Sequence, residues 1–279
     1  MRHNQTNQTK TNMIKKTILA LAALTAGVSA QAAEAAQAAK SSALSVTADI
    51  SYVSQYVFRG LLQADDSIQP SIEATYGDFY AGVWYSDAVN TVNYNSHRIV
   101  TSSETDLYAG YGYKVSDKVK LDIGVTRYLY EGLSPDDTTE FYIGATVDTF
   151  LKPSVYAYYS EEAQNAGVST YTASIGHSFA LEVIHSSLDL TALVGFVNAY
   201  DNEEYLYGVL SAAIPYKLSE NATLTVGVDY VANDDDRLDT FNNAPSGLGA
   251  VGPGLFGYNN SLGQGHDALV GKVSLAIGF

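Results

Sequence analysis

Histidine, serine and acidic side chains are the groups of this sequence that could catalyse a reaction or hold a metal. The histidines are His3, His97, His177, His185 and His266. No two of them have the HxH or HxxxH spacing of metal ligands. The one His-x-Ser segment, at 185–187, falls in a predicted turn, and a triad also needs an oriented carboxylate. We therefore predict no catalytic residues, no enzymatic activity and no cofactor.

An acidic segment, NDDDRLD at 233–239, could gather carboxylates around Ca²⁺ or Mg²⁺. The ligand spacing of a twelve-residue calcium loop is absent, and a solvated acidic loop explains the same composition. The glycines at 247–257 are separated by Leu, Ala and Pro, unlike a loop that cradles phosphate. We predict no metal site here.

A third group of acidic, basic and aromatic side chains alternates with apolar residues at a period of two, which is the period of a β-strand. The acidic members are Asp49, Glu73, Asp106, Asp122, Asp148, Asp189 and Asp229, and the basic ones are Lys114, Lys120 and Lys272. The aromatic members are Tyr80, Trp84, Tyr108, Tyr128, Tyr142, Tyr156 and Tyr158. If they line a water-filled lumen, the carboxylates favour cations and the bulky rings narrow the passage.

The elements that would carry these side chains are half-apolar strands. Val119, Leu121 and Ile123 alternate with Lys120 and Asp122, for example. About twelve such segments lie near 44–58, 68–76, 79–88, 104–114, 119–130, 138–148, 151–160, 168–179, 187–200, 205–216, 222–232 and 267–279. An even number lets the first and last strands pair. We predict an all-β fold, a single closed antiparallel transmembrane β-barrel.

The predicted connections alternate between short and long. Short turns are expected at 77–78, 115–118, near Thr149 and at 217–221, and longer loops at 59–67, 89–103, 131–137, 161–167 and 233–266. Outer-membrane barrels have short periplasmic turns and longer external loops. A secreted β-sandwich is the alternative, although it does not require this asymmetry.

The chain has 279 residues, no cysteine and a formal net charge of -15. The lack of cysteine excludes a disulfide scaffold and a thiolate metal site. So acidic a chain does not favour nucleic-acid binding, because phosphate recognition requires a basic face. One large β domain fits the length.

The N-terminal region has the pattern of an export signal. Lys15 and Lys16 precede an apolar run at 18–28, which is too short for a membrane-spanning helix. We predict a signal peptide at 1–32, cleaved after Ala32 or alternatively after Ala30, with Met13 a possible true start. A short linker at 33–43 then leads to the barrel at 44–279. A membrane anchor is the alternative for the apolar run.

Residues 54–84 carry two motifs of a known family. Tyr56-Val-Phe-Arg59-Gly60 is followed, after an alternating strand, by Phe79-Tyr80-Ala-Gly82-Val-Trp84. This arrangement resembles the TorF-like porin family, whose members carry YxxRG with a following Ser-Gln pair, and FYxGxW. Leu62 stands where the family has Ser. The resemblance implies an outer-membrane barrel and no particular substrate.

The last strand alternates through Val273, Leu275 and Ile277 to a terminal Phe279. It is similar to the C-terminal assembly signal of outer-membrane proteins. The expected partners are therefore the barrel-assembly machinery during biogenesis, and outer-membrane lipid and lipopolysaccharide afterwards.

Aromatic residues near the predicted strand ends suit a girdle at the membrane interface. They are Tyr52, Tyr56, Phe58, Tyr76 and Tyr85, and Arg59 is expected at the rim. The sequence thus favours a narrow outer-membrane channel for small cationic or neutral solutes. The alternative is a plugged structural or surface-binding barrel whose loop at 233–266 contacts a ligand.

Overall fold

The computed structural model describes residues 44–64, 66–93, 98–131, 137–162, 165–198, 204–234 and 267–279. The predicted signal peptide, the linker and all but the first residues of the predicted loop 233–266 lie outside these ranges. Within them, no helix is both long and apolar enough to cross a membrane.

Twelve antiparallel strands close into one barrel. They are β1 (Ser45–Val53), β4 (Ser67–Tyr76), β5 (Phe79–Asn93), β6 (Arg98–Lys114), β7 (Val119–Tyr130), β8 (Thr138–Val147), β9 (Ser154–Glu162), β10 (Asn165–Leu181), β11 (Ser186–Asn198), β12 (Glu204–Lys217), β13 (Ala222–Asn233) and β14 (Asp267–Gly278). Each strand pairs with its neighbours along the chain, and β1 closes the sheet against both β14 and β4. The predicted fold class and strand number are confirmed.

The two faces of the barrel differ as the alternation predicted. The outward face is apolar, with Ile72, Ile143 and Leu210 each about half exposed or more. The inward face carries buried polar groups such as Asp106 and Asp229. An apolar exterior around a polar interior is the reverse of a water-soluble sandwich and is typical of barrels that reside in lipid.

Inward tyrosines lie directly across from inward glycines on neighbouring strands. The pairs are Tyr80 with Gly110, Tyr108 with Gly82, Tyr142 with Gly124, Tyr156 with Gly144 and Tyr207 with Gly195. A Cβ added to any of these glycines would collide with the ring opposite. Each ring therefore covers the backbone of the next strand, a device that fixes strand register.

Short and long connections segregate to opposite ends of the barrel. One end has the turns at 77–78, 115–118, 148–153, 182–185 and 218–221, where Glu182–Ile184 form a single 3₁₀ turn. The predicted loops 89–103 and 161–167 are wrong in extent, because β5 continues to Asn93, β6 begins at Arg98, and β9 and β10 are separated by two residues. Pairing of β5 with β6 continues as far as Asn93 and Arg98, although the sequence there does not alternate strictly between apolar and polar residues.

The predicted first strand, 44–58, is also wrong at its end. Strand β1 stops at Val53, and the chain then forms a separate hairpin of β2 (Tyr56–Phe58) and β3 (Leu61–Ala64). Val53 pairs directly with Ser67 at the start of β4, so the barrel wall continues past the hairpin without it. The hairpin is thus part of an insertion between two wall strands, and it folds into the lumen.

Candidate functional site in the barrel lumen

The hairpin β2–β3 turns sharply and reaches the far wall of the barrel. Arg59 and Gly60, at its tip, both have positive φ, 50° and 78°. Positive φ at both central residues defines the tight type I′ turn that glycine accommodates easily. The Asn233 side-chain amide on β13 donates to the Gly60 carbonyl at 2.9 Å. A Cβ on Gly60 would lie 2.6 Å from the Cβ of Tyr207 on β12. The tip is therefore packed against β12 and β13.

The opposite side of the tip is held by an ion pair. Both terminal nitrogens of Arg59 donate to the two carboxylate oxygens of Glu140 on β8, each at 2.7 Å. Glu140 also accepts from the Tyr128 hydroxyl at 3.1 Å and from the Ser160 hydroxyl at 2.6 Å. The guanidinium lies 4.7 Å from the centre of the Tyr158 ring. The prediction that Arg59 lies at the rim is wrong, because its side chain lies inside the lumen.

The first strand of the hairpin is attached to β5 and β6. The Tyr56 hydroxyl donates to the Glu104 carboxylate at 3.0 Å, and its ring lies 5.6 Å from that of Trp84. Phe58 packs its ring edge on Tyr128 at 6.1 Å. The prediction that Tyr56 and Phe58 belong to the interfacial girdle is wrong, because the chain leaves the wall before it reaches them. Tyr52, Tyr76 and Tyr85 do lie on the outward face.

Below the hairpin, toward the short turns, tyrosine hydroxyls bind carboxylates in a connected network. The Tyr80 hydroxyl donates to Asp122 at 2.9 Å and lies 2.5 Å from the Tyr142 hydroxyl. Tyr156 donates to the other Asp122 oxygen at 3.4 Å. Beside them, the Tyr108 hydroxyl donates to Glu73 at 3.0 Å. We call the inward face of β4–β9, with these tyrosines and acids, the tyrosine–carboxylate wall.

The facing wall, formed by β10–β14 and β1, has smaller inward side chains near the short turns. Thr225 is buried there, and Ser174 of β10 lies opposite Ser154. Lys272 is bound to both oxygens of Asp229 at 2.7 Å. Asp49 and Asp189 are half-buried on the inward phase of β1 and β11. We call this inward face of β10–β14 and β1, near the short turns, the wall of small side chains. A solute at this level would have the tyrosine–carboxylate wall on one side and the wall of small side chains on the other.

Every residue predicted as a lumen or selectivity candidate is on the inward face: Asp49, Glu73, Tyr80, Trp84, Asp106, Lys120, Asp122, Asp229 and Lys272. For two other residues, the prediction that the side chain lies in the lumen is wrong. Lys114 is exposed and pairs with Asp117 at 2.9 Å, and Asp148 is exposed after the end of β8. Both share the alternation of the inward residues, but they lie where the strand ends and a short turn begins, so their side chains are in contact with solvent.

Glu104 and Glu140 were not anticipated, although the sequence contains a signal for each. Glu104 lies two residues before Asp106, and Glu140 two residues before Tyr142, so both share the inward phase of residues already identified. Glu140 is 1% exposed and Glu104 is 3% exposed. Their function as anchors of the hairpin depends on contacts over 81 and 48 residues of sequence, which no local pattern encodes.

The histidines are not arranged for catalysis in the part of the chain that the structure describes. His177 lies on the outward face of β10 against Phe150 and Phe179, and His185 ends the 3₁₀ turn. His97 and His266 lie outside the described residues. Across the described ranges, no cluster of three or more His, Cys, Asp or Glu is placed to hold a metal ion. Of the acidic segment 233–239, only Asn233 and Asp234 are described.

Residues 36–251 match a family described as "Bacterial protein of unknown function (Gcw_chp)". The chain belongs to this family. No match is found among curated proteins. The family description leaves the activity open.

Several solved porins are similar to the chain. The KdgM porin is 11% identical, with a TM-score of 0.48 over 84% of this chain and 99% of that one. The NanC porin is 9% identical, with a TM-score of 0.46 over 84% and 99%. An anion-selective porin from Comamonas acidovorans is 11% identical, with a TM-score of 0.39 over 85% and 99%.

Proposed function

We propose that this family member is an outer-membrane channel through which small cationic or neutral solutes diffuse passively. The single observation that carries the proposal is the charge of the lumen, whose ionisable side chains are predominantly acidic, inside a barrel with an apolar exterior. A barrel with such an exterior suits lipid, and the export signal and terminal Phe279 strand predicted from the sequence suit the outer membrane. The motif resemblance to TorF-like porins supports the same location.

The charge of the lumen supports a preference for cations. Among the described residues, the inward carboxylates are Asp49, Glu73, Glu104, Asp106, Asp122, Glu140, Asp189 and Asp229, and the inward cationic side chains are Arg59, Lys120 and Lys272. Two of those three cations are neutralised by Glu140 and Asp229. Uncompensated negative charge in a confined aqueous space concentrates cations and repels anions.

The hairpin supports a narrow passage. It joins β8 on one side to β12 and β13 on the other, through Glu140, Tyr207 and Asn233. A twelve-stranded barrel lies between the eight-stranded type, filled by side chains, and the wide sixteen-stranded porins. Because the hairpin inside it is packed against β12 and β13, the space left for solutes at that level is narrow.

Planar-bilayer recording of the purified protein tests this proposal. We expect discrete conductance steps and a reversal potential in a salt gradient that favours the cation. Asp49→Asn and Asp189→Asn, on the wall of small side chains, should each reduce that preference while Lys114→Gln, at the exposed turn, leaves it unchanged. A reversal potential that favours the anion would refute the cation preference.

A closed barrel is the second candidate, and the hairpin is the observation that favours it. If the hairpin and the tyrosine–carboxylate wall fill the lumen, the protein is a structural or surface-binding barrel without transport. Bilayers would then stay silent with the natural protein under all voltages tested. In that case, the loop at 233–266 is the first segment to delete in a search for a bound ligand.

A further inference from the structure

Two carboxylates beneath the hairpin lack the cationic partner that their burial requires. Asp106 is 1% exposed and Glu104 is 3% exposed, both on the inward face of β6. Glu104 accepts from the hydroxyls of Tyr56 and Tyr130 at 3.0 and 3.1 Å. One oxygen of Asp106 is fully buried without a hydrogen-bond partner. Arg59, on the same hairpin, is bound through both terminal nitrogens to Glu140 instead.

This deficit has an energetic consequence. An ionised carboxylate that is buried without a cation or sufficient donors loses its hydration and gains little in return. Among the ion pairs of the described residues, none involves Glu104 or Asp106. The negative charge must therefore be neutralised by a proton shared between the two groups or by a cation that binds between them and the neighbouring side chains.

The surroundings of Asp106 favour an organic cation. Trp84 on β5 and Tyr128 on β7 are its direct neighbours across the sheet, one on each side. Tyr56 of the hairpin lies over Trp84, with ring centres 5.6 Å apart. Aromatic faces beside carboxylates attract ammonium groups through the ring quadrupole. The described residues offer no cluster of three or more ligands for a metal ion.

We propose that Asp106 and Glu104, with the rings of Trp84, Tyr128 and Tyr56, form a binding site for the ammonium group of a small organic amine. Asp106 binds the cation through its unpartnered oxygen, and Trp84 and Tyr128 flank it. The inference rests on the proposed channel function for access, because the amine has to enter from the lumen; Asp106 is 1% exposed, so the rings that cover it must move to admit the cation. It gives the cation preference a specific ligand class.

Trp84 is the only tryptophan of the chain, so it reports on this site alone. The experiment titrates the full-length protein in detergent micelles with methylammonium chloride and follows tryptophan emission, with sodium chloride holding the ionic strength constant. We expect a saturable change in emission. Asp106→Asn should weaken the apparent affinity by about tenfold or more, the effect of losing a hydrogen bond to a charged group.

Asp189→Asn is the matched control. Asp189 also has a buried unpartnered oxygen, but its neighbours across the sheet are Ser178 and Ala213 rather than aromatic rings. It should leave the titration unchanged. The absence of any saturable change in the natural protein, or an equal change in Asp106→Asn, would refute the ammonium site.

If Asp106→Asn does not fold, infrared spectroscopy of the natural protein can still distinguish a shared proton from a bound cation. A protonated carboxyl band that keeps its full amplitude at saturating methylammonium would show that the pair retains its proton, and would overturn the proposal. A decrease in that band on binding, together with the emission change, supports it. Binding in micelles does not depend on conductance, so the two proposals can fail separately. A saturable emission change without conductance in bilayers would refute the channel. Conductance without a saturable emission change would refute only this site.

Discussion

At the scale of single residues, the ion pair between Arg59 and Glu140 is the contact on which the position of the hairpin depends. The side chain of Glu140 is 2% exposed and that of Arg59 is 13% exposed, so water screens their attraction little. Arg59 also holds a left-handed backbone conformation, which is uncommon for a residue with a side chain. Loss of either partner leaves a buried charge alone.

Glu140→Gln should therefore lower the free energy of unfolding by about 3 kcal/mol. Equilibrium urea unfolding in lipid vesicles, with a double-mutant cycle that includes Arg59→Met, measures it. The double variant should lose much less than the sum of the single changes, since it leaves no unpaired charge. Lys114→Gln, which breaks an exposed pair with Asp117, is the control and should cost under about 1 kcal/mol. If the free-energy losses of the two single variants simply add in the double variant, the ion pair does not stabilise the hairpin.

A second effect at this scale concerns the glycines under the tyrosine rings. Gly110→Ala would place a Cβ against the hydroxyl of Tyr80. The displaced ring would lose its contacts with Asp122 and Tyr142, and we expect destabilisation of about 1–3 kcal/mol. The same unfolding measurement applies. In the control, Gly208→Ala, the nearest atom is the Leu193 carbonyl oxygen at 3.7 Å, an ordinary contact. Equal effects in both variants would mean that the rings do not determine the glycine positions.

At the scale of elements, the hairpin and the wall can be separated experimentally. Val53 and Ser67 are already paired, so an Asn-Gly turn in place of residues 54–66 should close β1 onto β4 directly. We expect this variant to fold and to show larger conductance steps than the natural protein. Single-channel recording provides the comparison, and replacement of the turn 115–118 by Asn-Gly at the opposite end is the control. An unchanged step size would exclude the hairpin as the constriction.

At the scale of the whole molecule, the closed sheet accounts for the behaviour expected in a membrane. Each of the twelve wall strands is paired with a strand on both sides, including the seam where β1 meets β14. Phe279 takes part in that seam through its backbone, which donates to Val46 at 2.8 Å, while its side chain is 76% exposed. We expect this exposed residue to be recognised by the assembly machinery.

Deletion of Phe279 should reduce the amount of protein in the outer membrane severalfold while the purified chain still folds in detergent. Heat-modifiable migration on gels and membrane fractionation measure both quantities. Phe150→Ala, at another exposed aromatic near the same end, is the control and should assemble normally. Unimpaired assembly without Phe279 would show that the terminal residue is not the recognition signal.

The sequence by itself determined the barrel, because alternation at a period of two is a local property that each strand carries within its own residues. Val119 to Val125 shows its two faces without reference to any other segment, and the inward positions of Asp106, Asp122 and Trp84 follow from the same phase. The glycines of the wall were visible as well. Their pairing with tyrosines was not, since it depends on register between strands.

Only the tertiary structure decided the inward fold of residues 54–66 and the partners that it brings together. Tyr56, Phe58 and Arg59 continue the pattern of β1, so local reasoning assigned them to the girdle and the rim. They enter the lumen because the wall closes without them through Val53 and Ser67, and because Glu104 and Glu140 offer buried acceptors for Tyr56 and Arg59. Such contacts form between distant strands that become neighbours only when the barrel closes, which no sequence period can express.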